Sequence, residues 1–316
     1  MPAPKEFKRV VVDLNEDPDA DNETTPGPLS PIEHDLELEE LDSDIFRSKR
    51  PLWRPAAARA IFGGSILSQC LASCARTVPE GYIIHSLHSY FVLPGDETRP
   101  IVYHVERVRD GKSYCTRTVQ ARQRNKCILT MTCSFQRHEE SSLTHQVTMP
   151  QVPEPDALLA PKDMLARSKR MIVDPVLRAK IEAEAAVSPI ESRMVLFQQK
   201  DKKPDERHVA LWVKAKGQIS GDFHAHAAAI AYFSDSWFLS TALRVNNKTP
   251  QHASMMASLD HSIYFHKQAR ADEWLLYDMN STWSGRGRGL AHGRIFTKDG
   301  DLIAECVQEG LIRMKL

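Results

Sequence analysis

The chain predicts an α+β fold made twice over, each copy a single helix laid on an antiparallel meander. Three observations carry this. A small-residue helical stretch, Gly64 to Thr77, precedes a strand containing His88-Ser89-Tyr90-Phe91, and a helical region from Phe223 to Leu243 precedes a strand containing His261-Ser262-Ile263-Tyr264. Later landmarks repeat in the same order: Tyr103 answers Tyr277, Gly111 answers Gly285, Asn125 answers Asp299, and Phe135-Gln136 answers Val307-Gln308. Their offset stays near about 173 residues, a period far too long for a solenoid and right for a duplicated domain. Turn residues divide the strands in both halves: Arg109-Asp110-Gly111 and Gln123-Arg124-Asn125 in the first, Lys298-Asp299-Gly300 in the second.

Taken in order, residues 1–35 are rich in proline and acids and read as a disordered or loosely attached tail. Leu36, Leu38, Leu41, Ile45 and Phe46 open an N-terminal lobe over 36–140. In its helix Ile66, Leu67, Cys70, Leu71, Cys74 and Ala75 recur at the spacing of one broad apolar face. Gly63 and Gly64 let the start of this helix approach another backbone closely. Ile101 to Arg107, Ser113 to Arg122 and Ile128 to Gln136 carry strand formers. A linker over 141–190 holds Pro150, Pro153, Pro155 and Pro161, then a charged stretch suited to one or two short helices. The C-terminal lobe, 191–316, supplies strands at Trp274 to Asn280, Gly289 to Thr297 and Leu302 to Ile312.

Composition excludes several classes. Lys+Arg and Asp+Glu balance at 41 each, without the basic excess of a protein held by nucleic-acid phosphates. No apolar run is long enough to cross a bilayer, so no membrane span is expected. The six cysteines lack paired metal-ligand spacing and read as reduced thiols, with no metal site. The final Met314-Lys315-Leu316 is a weak version of a peroxisomal address, leaving a peroxisomal or cytoplasmic location.

Familiar catalytic signatures are missing. Gly63-Gly64-Ser65-Ile66-Leu67 fails the last position of a nucleophile elbow. Gly285-Arg286-Gly287-Arg288-Gly289 leads into a strand, so it is a glycine-rich turn and not a phosphate loop. What stands out is an asymmetry between the lobes. The first-lobe helix has no carboxylate, whereas the second-lobe region has Asp235 amid aromatic and aliphatic residues. Burying such an acid costs several kcal/mol unless it has partners or a task, and capping a helix turn is the bland alternative. Gln308, late in the last strand, and Ser258, ahead of Asp260-His261, are the other candidates, each with an ordinary strand role as its alternative. A Ser258–His261–Asp260 triad is rejected, because neighbours on one strand point to opposite faces.

Leu87-His88-Ser89-Tyr90-Phe91 with Pro94-Gly95-Asp96 and Val108-Arg109-Asp110-Gly111-Lys112-Ser113 resembles the first half of the acyl-CoA thioesterase II family. Ser258-Leu259-Asp260-His261-Ser262, Glu273-Trp274-Leu275-Leu276-Tyr277 and Gln308-Glu309-Gly310 resemble its second half, and the likeness runs from about Leu36 to Arg313. The resemblance implies a double hot dog, hydrolysis of acyl-CoA without a cofactor, self-association into a homo-oligomer, and a catalytic trio that falls on Asp235, Ser258 and Gln308. It further suggests oxyanion donors near Gly63-Gly64, an apolar acyl tunnel between helix and sheet, and Arg288 as a contact for coenzyme A phosphates, with a solvated strand position as the alternative for Arg288. Two other functions compete. A hot-dog hydratase would carry His five residues after its Asp, where this chain has Ser240; a non-catalytic acyl-CoA-binding protein would release no thiol.

Overall fold

The computed structural model describes residues 29–55, 58–159 and 175–315. The tail 1–28, residues 160–174 of the linker and the terminal Leu316 lie outside the described residues. The expected tail ends too late, because a helix, α1 (Pro31–Asp35), precedes Leu36. Ser30 caps it with a capping box closed by Glu33, and Ile32 is fully buried.

Thirteen strands form one antiparallel sheet. In the first lobe β1 (Leu38–Asp42), β2 (Ile45–Ser48), α2 (Gly63–Ala75), β3 (Tyr82–Phe91), β4 (Val102–Asp110), β5 (Tyr114–Gln123) and β6 (Lys126–Arg137) follow in sequence. After α3 (Pro175–Val187) the second lobe brings β7 (Ile190–Val195), β8 (His208–Ala215), α4 (Phe223–Ser234), a four-residue α5 (Thr241–Arg244), β9 (Ala253–Ser258), β10 (Asp260–Phe265), β11 (Leu275–Gly285), β12 (Arg288–Thr297) and β13 (Leu302–Met314). The order β1-β2-β4-β5-β6-β3-β10-β13-β12-β11-β8-β7 is the same path read inward from each edge, meeting where β3 pairs with β10. Only β9, which pairs with β13, falls outside this mirror arrangement. One helix per six-stranded half, wrapped by its sheet, is the double hot dog.

The turns are those the residues require. Arg124 and Asn125 have φ of 50° and 60°, and Arg286 and Gly287 have 49° and 73°, the left-handed pairs that close tight hairpins. Helix α2 departs from the expected single apolar face. Leu67, Cys70, Leu71 and Cys74 are fully buried, but so are Ser68, Gln69 and Ser73 on its other sides. The helix is sandwiched between the sheet and α4, so its hydroxyls need internal partners. Ser68 Oγ donates to Ser65 O at 2.9 Å and Ser73 Oγ to Cys70 O at 2.8 Å. Each buried leucine contributes about 2 kcal/mol to holding this layer.

Candidate active site

The two helices run side by side, and small residues decide how close they come. A Cβ on Gly64 would collide with the Tyr232 carbonyl of α4. A Cβ on Gly63 would lie 2.8 Å from Asp235 Oδ2 and 2.7 Å from the Phe91 ring. The expected close approach is therefore present, and what it brings together is the N-terminus of α2 and the C-terminus of α4.

Asp235 occupies the C-cap of α4 with φ −80° and ψ −15°. A carboxylate is electrostatically misplaced at that end of a helix, so its partners come from elsewhere. Gln308 Nε2 donates to Asp235 Oδ1 at 2.7 Å. The backbone N–H of Gly64, unpaired within the first turn of its own helix, also donates to it. Burial pushes the Asp235 carboxyl above the usual range, and the bonds from Gln308 and Gly64 restrain the rise. Asp235 is thus a base of raised proton affinity held in one orientation.

Gln308 is fully buried on β13. It faces inward beside Gly289, Ala291 and Gly310, whose small size leaves room for an amide under the helix. Its second N–H meets His261 Nδ1 at 3.1 Å. The other ring nitrogen of His261 lies 2.9 Å from Ser234 Oγ, whose own proton goes to Ala231 O at 2.9 Å. Since Ser234 has spent its proton, His261 must be the donor at Nε2 and the acceptor at Nδ1. Complete burial pushes its pKa down to about 3, so the ring is neutral at ordinary pH. This relay fixes which way the Gln308 amide points. Both amide protons are engaged, and among the described residues Gln308 Oε1 is left as a buried acceptor without a donor.

Ser258 ends β9 directly opposite Gly310. Strand alternation puts its side chain on the same face as Gln308, one diagonal step away. Among the described residues its hydroxyl has no hydrogen-bond partner and does not bond Asp235 or Gln308. The rejected triad is indeed not formed. Asp260 Oδ1 instead accepts from Glu309 N at 2.7 Å. Gly63 and Gly64 lie at Asp235, with Gly64 N–H already given to the carboxylate. Arg288 is distant in role: Nη1 pairs with Glu309 at 3.2 Å and its guanidinium stacks 5.6 Å from the Trp283 ring centre.

In the sequence His261 is set beside His88 and weighed only within the rejected triad, so its contact with Gln308 goes unanticipated. The seam register shows the error: His261 pairs with Ser89, and His88 with Ser262. His261 and Ser89 point inward and are buried, whereas His88 points outward and is exposed. Likewise Gln136, set against Gln308, is only half-buried, whereas Gln308 is fully buried. The signal lay in the period-2 burial of each strand and not in matched letters.

Among the described residues no cluster of three or more His, Cys, Asp or Glu could hold a metal, no helix is long and apolar enough to cross a membrane, and all six cysteines are free. Two cavities of about 260 Å³ are present, and neither is lined by Asp235.

Comparison with known proteins places this geometry in a family. Residues 50–136 match a family model for the acyl-CoA thioesterase N-terminal domain, and residues 155–312 one for its C-terminal domain. Acyl-coenzyme A thioesterase 8 of Mus musculus is 42% identical over 290 residues, covering 89% of this chain and 88% of that protein. Acyl-CoA thioesterase 2 of Haemophilus influenzae is 36% identical over 289 residues, covering 90% and 98%. Among solved structures, an acyl-CoA thioesterase II from Mycobacterium marinum superposes with a TM-score of 0.72 at 34% identity, covering 90% of this chain and 97% of that one. The chain belongs to the acyl-CoA thioesterase II family.

Proposed function

We propose that the chain hydrolyses fatty acyl-CoA thioesters, with Asp235 as general base on a water oriented by Gln308. The observation that carries this is the 2.7 Å bond from Gln308 to Asp235 together with the undonated Gln308 Oε1 beside it. A water held between that oxygen and the carboxylate gives one proton to each acceptor, leaving a lone pair directed at the thioester carbonyl. Asp235 takes the proton as the C–O bond forms. The tetrahedral oxyanion then collapses, the C–S bond breaks, and the proton passes from Asp235 to the departing thiolate. General-base catalysis of this kind contributes about 10²–10⁴-fold.

The raised proton affinity of Asp235 suits the task, because a carboxylate near its ordinary pKa is a poor base. As Asp235 is neutralised, its claim on the Gly64 N–H weakens and that donor becomes available to the oxyanion. Ser258, unpartnered and on the same face, supplies a further hydroxyl to the water or to the oxyanion. The hydratase alternative loses ground in the same region, because Ser240 Oγ is tied to Trp237 O at 2.6 Å.

Thiol release from acyl-CoA of increasing chain length tests hydrolysis, and no release at any length would leave only a binding protein. Single-turnover hydrolysis in heavy-oxygen water tests the route. Label entering the fatty acid directly is expected, and label found first in Asp235 would replace the base with a nucleophile.

A further inference from the structure

The second-lobe end opposite the seam holds a cavity of about 260 Å³ whose lining includes Phe197, Lys200, Arg207, His208, Arg244 and Asn247. Its charged lining is cationic, with no carboxylate among the lining residues. Among the described residues Lys200, Arg207 and Arg244 are not spent on ion pairs, whereas His208 Nδ1 lies 3.0 Å from Asp278 Oδ1. Arg244 donates from Nε to Ser240 Oγ at 3.3 Å, and burial lowers its proton affinity. Arg207 gives one Nη to Val245 O at 2.6 Å, while its Nε is buried without a partner. Half-buried guanidinium groups without a carboxylate partner are costly, and a polar anion is the partner that removes the cost.

We infer that this cavity is an oxyanion site for phosphate groups, in the first place those at the nucleotide end of a coenzyme A thioester. The inference rests in that last respect on the proposed hydrolase reading. Its position fits. Gly310 lies two residues beyond Gln308 on β13, about 7 Å along the strand. Leu239 packs onto the space left by the absent Gly310 side chain, and the next residue, Ser240, holds Arg244. The cavity therefore begins a few side chains from the reacting centre, a gap that the pantetheine arm separating thioester from phosphates spans. Arg288, already engaged by Glu309, is the weaker candidate for that contact.

The test uses the full chain with Lys200→Gln and Arg244→Gln combined, keeping Arg207 because it also holds the Val245 carbonyl. Each lost charge-assisted bond weakens phosphate binding by about tenfold or more. Calorimetric binding of adenosine 3′,5′-bisphosphate is expected to weaken accordingly. KM for palmitoyl-CoA rises about tenfold with kcat unchanged, and palmitoyl-pantetheine, which lacks the phosphates, is unaffected. Arg244→Lys, which keeps the charge, restores part of the affinity and separates charge from misfolding. If inorganic phosphate binding is lost while both thioesters are handled as before, the site stands with free phosphate as its occupant. Unchanged affinity for both anions overturns the proposal. A wild-type chain that binds the bisphosphate yet cleaves neither thioester sinks the hydrolase reading and leaves the anion site in place.

Discussion

The two central helices, α2 and α4, are finished differently. At the end of α4 stands Asp235, met by Gln308 from β13, while Tyr277 Oη, occupying space above Gly293, holds the Ser234 carbonyl at 2.8 Å. At the end of α2 the helix itself carries no acid. Arg117 is fully buried there and donates to Thr77 Oγ1 at 2.8 Å, Thr77 O at 3.0 Å, Arg109 O at 3.1 Å and Thr116 O at 3.0 Å, and its Nη2 pairs with Asp110 Oδ1 at 2.5 Å. Arg117 pairs with Cys133 on β6, while Gly293 of β12, which makes room for the Tyr277 ring, pairs with Cys306 on β13. One lobe anchors its helix end with a buried guanidinium; the other keeps an acid at its helix end. Duplication thus leaves one end free for chemistry while its twin stabilises the pair.

The sharpest break of this comparison is Asp235→Asn. Turnover is expected to fall by about 10²–10⁴-fold, measured as thiol release, with circular dichroism unchanged. Stability should move the opposite way. Burial raises the Asp235 pKa in the folded state above its unfolded value of 3.8, so the stabilising, protonated form is fully present below that pH and lost as pH rises through the folded value. At neutral pH the charge is a burden that Asn lacks. The variant should melt higher than wild type at pH 7, and the gap should close in acid. An inactive variant that also melts lower would mean that Asp235 is structural.

The opposite end is tested by Arg117→Met, which strands several carbonyls at once and should cost about 3 kcal/mol or more in denaturant unfolding. Tyr277→Phe, which removes one donor from the equivalent helix end, should cost about 1 kcal/mol. Equal losses would show that the two ends are not differently finished after all.

A smaller effect is expected at the third point of difference, where His261 faces Ser89 across the seam. His261→Gln removes the Nδ1 acceptor and should lower kcat about tenfold, the scale of one unmade buried bond, with KM nearly unchanged. His261→Asn returns an acceptor at the Nδ1 position and should recover much of the rate. Because His261 is neutral at ordinary pH, the acid limb of the rate profile should not shift in the Asn variant. A shift there would assign proton transfer to the imidazole.

Much of this was legible in the sequence, for physical reasons that differ by element. The meander strands and their hairpins are marked by β-branched residues and by turns such as Arg124-Asn125, which local chemistry determines. Asp235 was legible because an acid in Ala231-Tyr232-Phe233 surroundings has few benign explanations. The strands β1, β2, β7 and β8, at and next to the two edges of the sheet, were not recognised as such: Leu38–Asp42 and Ile190–Val195 mix charge with apolar residues and owe their conformation to pairing. The parallel drawn between His88 and His261 does not hold at the seam, where His261 is buried and His88 exposed, because a one-residue change in register inverts every later side chain. Arg117 was invisible because a buried arginine is defined by carbonyls that only the fold collects. Helix α1, in contrast, was written in the chain as Ser30-Pro31-Ile32-Glu33, a capping box that went unread.

That helix yields the smallest expected effect and the last asymmetry, since it precedes the first lobe yet clasps the second. Glu33 Oε2 accepts from Ser30 N at 3.0 Å and Ser30 Oγ at 2.8 Å. Oε1 accepts from Ser220 N at 3.0 Å, Ser220 Oγ at 2.8 Å and Gly221 N at 3.1 Å, in the turn that leads into α4. Burial alone would raise the Glu33 pKa, but the bonds from Ser30 and Ser220 outweigh it and the folded value lies below 4.5. The contribution to stability is therefore present above about pH 4.5 and is lost as pH falls through the folded value. Glu33→Gln gives up acceptors and should lower the melting temperature by a few degrees at pH 7, about 1 kcal/mol. Below pH 4.5 the wild type should lose that advantage and the two melting curves should converge. A gap that is the same at pH 7 and in acid would show that the clasp works through shape and not through the carboxylate charge.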